Sequence, residues 1–331
     1  MHRRTRKTLW IVAAVLLVLA AAIFLRFKAP PEAARLLPES DGIVYVNLRP
    51  LHAVMRQNMK PITRAPEYED FVEKTGFDWE RDLEEAAVSL HRMQDPKGPN
   101  GPVAYSMVLV GKIDGKRLAG YLDAHATDRE NYAGHIIYSL PSEGRTVRVT
   151  QFSYDTVAVS NTPSTEQIHS ILDRHQTAAM PFSGSTLLAQ HYSEMPILSV
   201  AWGMGQIGLP FSENGKIQVL GMALPLPADT TFMASIHWAG SLKVRVVEIA
   251  GSEAAAVNQA ASLNLLLNLA RGATAGLSSN AANDGLKEVL RTAQITQRRN
   301  RVVANANLPK NLPVELLQGG QESTEPSNAS K

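Results

Sequence analysis

An unbroken apolar run opens the chain and sets its first expectation. Residues 9–25 read LWIVAAVLLVLAAAIFL, seventeen positions without a charged or strongly polar side chain. At ~1.5 Å per residue such a helix spans roughly 25 Å, slightly short of a ~30 Å hydrocarbon core, and basic flanks can snorkel across the difference. Arg26 and Lys28 supply those flanks, and Trp10 sits where an interfacial ring is favoured. The pattern therefore predicts a transmembrane helix from Leu9 to Leu25, between a basic tail at 1–8 and a linker at 26–35. Ala29-Pro30-Pro31-Glu32 makes that linker stiff and extended.

Beyond the linker the periods shorten to those of strands and globular helices. A strand is expected at 43–48 and helices at 51–59 and 67–74, the second ended by Thr75-Gly76. Asp78 caps a short turn through Asp82. Residues 84–92 and 103–112 read as strands around a Pro/Gly loop, and Asp114 caps a helix with Leu118, Tyr121 and Leu122 on one face. Strands near 135–139, 145–151 and 156–160 follow, then a helix opened by Thr162-Pro163 with Ile168, Ile171, Leu172 and His175 inward. The second half restarts at Gly184 with a short helix and a strand at 197–202, and a Gly/Pro-rich segment fills 203–228. A hairpin is expected at 231–238 and 242–249. Ser252 caps a long Ala/Leu helix to about Ala270, a loop covers 272–283, and a helix at 284–291 and a hairpin at 293–306 complete the domain. Residues 318–331 have almost nothing to bury and read as disordered.

The fold class expected is α+β, a mainly antiparallel sheet behind the N-terminal helix. Strand, Asn161-Thr162-Pro163, helix recurs as strand, Asn307-Leu308-Pro309, helix. That suggests two related halves, 36–178 and 184–317. The alternative is that X-Pro simply recurs at strand-to-helix turns.

Charge sharpens the placement. Six of the 33 basic residues, Arg3, Arg4, Arg6, Lys7, Arg26 and Lys28, fall in the first 28 positions with no acid, leaving 27 against 31 acidic, so the remainder is about −4. The basic pI of 8.7 belongs to the membrane end and argues against nucleic acid as a partner. The excess of basic residues before the apolar run places the N-terminus in the cytoplasm and the main domain in the periplasm, single-pass in a bacterial inner membrane. The rival reading is a signal peptide cut near Ala20-Ala21-Ala22, releasing a secreted domain. The chain has no cysteine, which removes disulfides and thiol chemistry.

Candidate chemistry is sparse. Gly203-Met204-Gly205-Gln206-Ile207-Gly208 matches a dinucleotide fingerprint, but Pro210 and the turn-forming Ser212–Gly215 region leave no room for the required helix. His169 and His175 are six apart on one helix and face different ways, and no H-E-x-x-H, G-x-S-x-G or S-x-x-K occurs. No cofactor, metal or catalytic residue is assigned. The one dense cluster is acidic: Glu67, Glu69, Asp70, Glu73, Asp78, Glu80, Asp82, Glu84 and Glu85, a candidate face for a basic partner whose plain alternative is solvated helix faces and caps.

Thr75-Gly76-Phe77-Asp78-Trp79-Glu80-Arg81-Asp82-Leu83 resembles the "TGFD-x-x-RDL" stretch of uncharacterised bacterial, acidobacterial-type proteins. In those proteins it precedes a strand, an Asp-capped helix and a Tyr-x-Gly step, matched here by 108–122 and Tyr132-Ala133-Gly134. The resemblance spans about 36–317 and implies an architecture; it implies no activity. The function expected is a membrane-anchored periplasmic module that binds a protein or envelope component, leaning away from an enzyme. The alternative is an envelope hydrolase with an unrecognised site, which requires a hollow with convergent Glu, Asp and His.

Overall fold

In the computed structural model Gly42–Asn47 forms β1, near the middle of a twelve-stranded sheet. The structure describes residues 12, 15–20, 28–50, 52, 65–98, 100–142, 144–177, 183–206, 216–219, 222–225, 230–276, 278 and 281–309. Most of the 9–25 helix, the 51–59 helix and the 318–331 tail lie outside the described residues. Residues 15–20 are helical and exposed, and among the described residues no helix is long and apolar enough to cross a membrane.

The remaining strands are β2 (Leu83–Arg92), β3 (Val103–Gly111), β4 (Asp128–Tyr132), β5 (His135–Ser142), β6 (Arg145–Gln151), β7 (Thr156–Ser160), β8 (Ser199–Gln206), β9 (Lys216–Val219), β10 (Met222–Pro225), β11 (Thr231–Trp238), β12 (Leu242–Ile249), β13 (Gln294–Arg298) and β14 (Arg301–Asn307). Twelve join one antiparallel sheet in the order β13-β14-β12-β11-β8-β1-β2-β3-β7-β6-β5-β4, while β9 and β10 pair separately. The antiparallel α+β architecture is thus as the pattern predicts. Reading outward from the central β1–β8 pair, β1-β2-β3-β7-β6 on one side matches β8-β11-β12-β14-β13 on the other. Both sides detour through helices after their third strand.

The helices are α1 (Glu32–Arg35), α2 (Pro66–Thr75), α3 (Trp79–Asp82), α4 (Gly115–His125), α5 (Glu166–Thr177), α6 (Thr186–His191), α7 (Glu253–Ala275) and α8 (Ala281–Thr292). Their ends follow cap chemistry. Gly76 stops α2 at φ +73°, and Asp78, Asp114, Ser185 and Ser252 each accept backbone N–H bonds at an N-terminus. One sheet face buries Ile43, Tyr45, Ala87, Val108, Trp202, Met204 and Met233 beneath α1, α5 and α6. The other buries Leu109, Val157 and Val159 beneath α4 and, at the far side, Val302 beneath α7. Period-2 alternation along each strand produces this two-sided core.

Several local expectations are corrected. Residues 32–35, expected within an extended linker, form α1, because Ala33 and Ala34 bury against the core. The helix expected at Thr162-Pro163 starts at Glu166, because Arg148 Nη1 and Nη2 donate to the carbonyls of Thr162 and Pro163 at 2.7 and 3.2 Å and hold those residues in bends. The long helix runs on to Ala275 through part of the expected 272–283 loop. Thr274 Oγ1 donates to Ala270 O at 2.8 Å and Arg271 ties that turn to the carbonyls of Leu290 and Ala293. Gly203 to Gln206, assigned to a loop, continue β8, since Gly203 is paired on both sides, with Val44 and Ala234. Residues 216–225, assigned to the same loop, contain the β9–β10 hairpin. Charged β4 was not expected as a strand; it lies at the sheet edge, where charge is tolerated.

Candidate functional site

The register places many turns at one end of the sheet, the end where the chain arrives from residue 28. Val46 of β1 lies opposite Ala201, Glu85 opposite Val110, Gln151 opposite Val157, and Trp238 opposite Leu242. Among the hollows that open at this end, two lie beside residues 28–32.

The first, of about 420 Å³, is lined by Pro31, Glu32, Tyr45, Arg49, Glu85, Ser153, Tyr154, Asp155 and His175, among others. That volume falls in the ~300–1,000 Å³ range of small-ligand clefts. Tyr45 Oη donates to Glu85 Oε2 at 3.0 Å, and Arg49 Nη1 meets Glu85 Oε1 at 2.8 Å. Arg49 Nε donates to Glu84 Oε2 at 2.8 Å, so one guanidinium spans both carboxylates. Burial, and then the Glu85 carboxylate, push the Tyr45 hydroxyl well above its ordinary range, which keeps it a hydrogen-bond donor. Tyr45 in turn stacks on Trp202 at 5.4 Å. Across the hollow, Asp155 Oδ1 accepts from Ser153 Oγ at 3.1 Å and from Thr156 Oγ1 at 2.8 Å. His175 packs edge-on to Phe152 at 4.8 Å with its buried Nδ1 unpartnered.

The second hollow, of about 700 Å³, is lined by Lys28, Pro30, Leu188, Tyr192, Met195, Pro196, Ile197 and Leu198, among others. Between its lining residues Ser193 and Met195, Glu194 has two oxygens that accept from Arg301 Nη2 and Nε at 2.6 and 3.0 Å. That bidentate hydrogen bond holds the Glu194 carboxyl below its usual value, and burial opposes it. Leu198 has φ +67°, a left-handed conformation costly for a branched side chain.

The nine residues of the acidic cluster do not form one site. Glu67, Glu69, Asp70 and Glu73 lie on α2, where Asp70 pairs with Lys74 at 2.7 Å. Asp78 caps α3 and accepts from Tyr68 Oη at 3.0 Å, and Asp82 pairs with Arg81 at 2.6 Å. Glu80 sits in the first turn of α3, and only Glu84 and Glu85 reach the hollow's Arg49. The histidines are equally dispersed: His169 stacks on Tyr132 at 3.7 Å and His175 faces the first hollow. Among the described residues no group of His, Asp or Glu is arranged to hold a metal ion.

Two buried polar features lie elsewhere. His91 Nε2 meets Ser89 Oγ at 3.2 Å and Ser106 Oγ at 3.1 Å, and the chain continues through Ser160 Oγ to Thr162 Oγ1. Burial lowers the His91 pKa, so the ring stays neutral within this inner network. Glu248 is 4% exposed with neither carboxylate oxygen partnered, and burial raises its pKa.

Sequence reasoning missed Tyr45, Arg49, Asp155 and His175 as a group. They come from four separate segments, and only the strand register brings them together. Ser153-Tyr154-Asp155, between β6 and β7, is a turn that the sequence alone does not mark as part of a site.

No protein-family model matches this chain. No curated protein matches it either. Among solved structures, crystal form III of TP0453 aligns with 87% of this chain and 99% of its own at 10% identity, with a TM-score of 0.44. Crystal form I of TP0453 aligns with 88% and 98% at 9% identity, with a TM-score of 0.43. Scores this low fix neither topology nor activity for this chain.

Proposed function

We propose that this chain is a single-pass, membrane-anchored periplasmic module that binds a protein or envelope component. In this reading the Leu9 to Leu25 helix is retained in the inner membrane, and the α+β sheet is two related halves sharing the β1–β8 pair. One observation carries the binding reading: a mixed polar hollow of ligand size, built from Tyr45, Arg49, Glu85, Ser153 and Asp155, opens beside the tether. Its groups are held in place by hydrogen bonds and by the Tyr45–Trp202 stack, which lowers the entropy lost on binding.

A photo-crosslinking residue at Tyr154, exposed at the rim, tests this in living cells. The module reading expects a discrete adduct that is lost when Arg49→Met is added. Adducts only with abundant neighbours, unchanged by Arg49→Met, would contradict it.

A hydrolase is the second reading, because Glu85, Asp155 and His175 line one hollow. Both carboxylates are already engaged, Glu85 by Tyr45 and Arg49, and Asp155 by Ser153 and Thr156. Release of soluble fragments from envelope material by the purified full chain, abolished by Asp155→Asn, would favour this reading over the first.

A further inference from the structure

The two ends of the sheet differ in what they expose. Outside the N-terminal segment and α7, the large apolar side chains exposed among the described residues are Trp79, Ile136, Tyr154, Ile197, Leu198 and Trp238. All six sit at the end where the chain enters from residue 28. Tyr154 is in the β6–β7 turn and 84% exposed, Leu198 precedes β8 and is 63% exposed, and Trp238 ends β11 and is 58% exposed. Trp238 N lies 3.5 Å from Leu198 O, so these two side chains belong to one tip. The opposite end carries exposed Arg92, Asp95, Lys97, Arg298 and Arg299 instead.

The tether marks which end meets the bilayer. Lys28 and Pro30 line the same hollow as Ile197 and Leu198. Lys28 follows Leu25 by three residues, a reach of roughly 10 Å at ~3.3–3.6 Å per residue. Lys243, opposite His237 in the β11–β12 pair, adds a second cation at this end of the sheet. Aromatic rings and aliphatic side chains backed by lysines match the headgroup layer of an anionic membrane, where ring and cation both find partners. The positive φ of Leu198 fits the same role, because the fold holds a branched apolar side chain outward at a position a glycine would occupy without strain.

We infer that the folded domain rests its Ile197-Leu198/Trp238 tip, flanked by Tyr154, in the headgroup layer of the bilayer that carries its anchor. The charged end then points away from the membrane, and both hollows open close to its surface. This rests on the anchor reading above.

The absence of native cysteine makes the test direct. Full-length protein carrying Ala239→Cys at the tip, or Lys97→Cys at the far end, is labelled with an environment-sensitive fluorophore. It is then reconstituted in phosphatidylethanolamine–phosphatidylglycerol vesicles with brominated acyl chains. The tip label is expected to shift to shorter wavelength and to be quenched, and the Lys97→Cys label to remain water-like. Adding Ile197→Ser, Leu198→Gly and Trp238→Ser should abolish the quenching while thermal unfolding stays unchanged, since these side chains are exposed and glycine suits the Leu198 backbone. A tip label as water-like as the far one, on protein that stays with vesicles in alkaline carbonate, overturns the docking and leaves the anchor standing. Protein that leaves the vesicles in carbonate overturns the anchor, and the docking with it.

Discussion

Glu248 shows how a single side chain opposes the fold around it. Its carboxylate is buried between Phe232 and Val302 positions of the neighbouring strands with no hydrogen-bond partner. Burial raises its pKa, so the folded state holds the proton more tightly than the unfolded one. Stability is therefore full below the ordinary Glu pKa of 4.5 and declines as pH rises through the higher folded value. Glu248→Gln, whose amide is equally unpartnered but does not ionise, removes that decline and is expected to stabilise the protein at pH 7 more than at pH 4. Chemical denaturation of both forms at pH 4 and pH 7 checks this. A gain at pH 4 equal to that at pH 7 would show that charge is not the cause. None of this is legible in the sequence, where Val-Val-Glu-Ile reads as an ordinary strand, because burial on both faces is set by α7 and the pairing of β12 with β14.

At the scale of elements, most boundaries follow local chemistry. Asp78, Asp114 and Ser252 act as the caps their positions predict, Ser185 caps α6 in the same way, and the β11–β12 hairpin turns at Gly240 with φ +73°. The boundaries that moved did so through long-range contacts. Arg148 holds the Thr162 and Pro163 carbonyls out of α5, and Arg271 prolongs α7 by bonding Leu290 and Ala293. The same kind of contact fixes the second hollow. Arg301, on the last strand of the sheet's far half, grips Glu194 in the turn at Tyr192–Glu194 that leads to Ile197 and Leu198. Arg301→Lys loses the two-pronged geometry and is expected to cost about 1 kcal/mol, because the pair is partly solvated. Its local sign is faster amide exchange across residues 192–199, with β2 and β3 unchanged. That loss also grows smaller at acid pH: Glu194 has a lowered pKa, so the pair stabilises above the ordinary carboxylate range and fades as pH falls through the folded value. Uniform exchange across the sheet would contradict the assignment of Arg301 to that turn.

At the scale of the molecule, a pattern of short amphipathic segments announces an antiparallel α+β fold but not how two sets of strands share one sheet. That depends on the β1–β8 pair, which joins residues more than 150 positions apart in sequence, from Gly42 with Gly205 to Val46 with Ala201. The candidate site was illegible for a similar reason, since Tyr45, Arg49, Asp155 and His175 meet only once β1, β2, β3 and β7 pair. What the sequence does carry is polarity: a basic start, an apolar run, then a mildly acidic domain. The structure adds that the linker leaves the domain at its apolar end. The account as a whole therefore turns on which side of the membrane the charged end faces. Lys97→Cys, exposed at that end in a chain otherwise free of cysteine, reports it in one experiment on intact spheroplasts with a membrane-impermeant maleimide. The account predicts that Lys97→Cys is labelled without permeabilisation, on protein sedimenting with membranes, while Thr5→Cys is labelled only after it. Labelling of Thr5→Cys but not Lys97→Cys in intact spheroplasts, or Lys97→Cys recovered only in the soluble fraction, would contradict it.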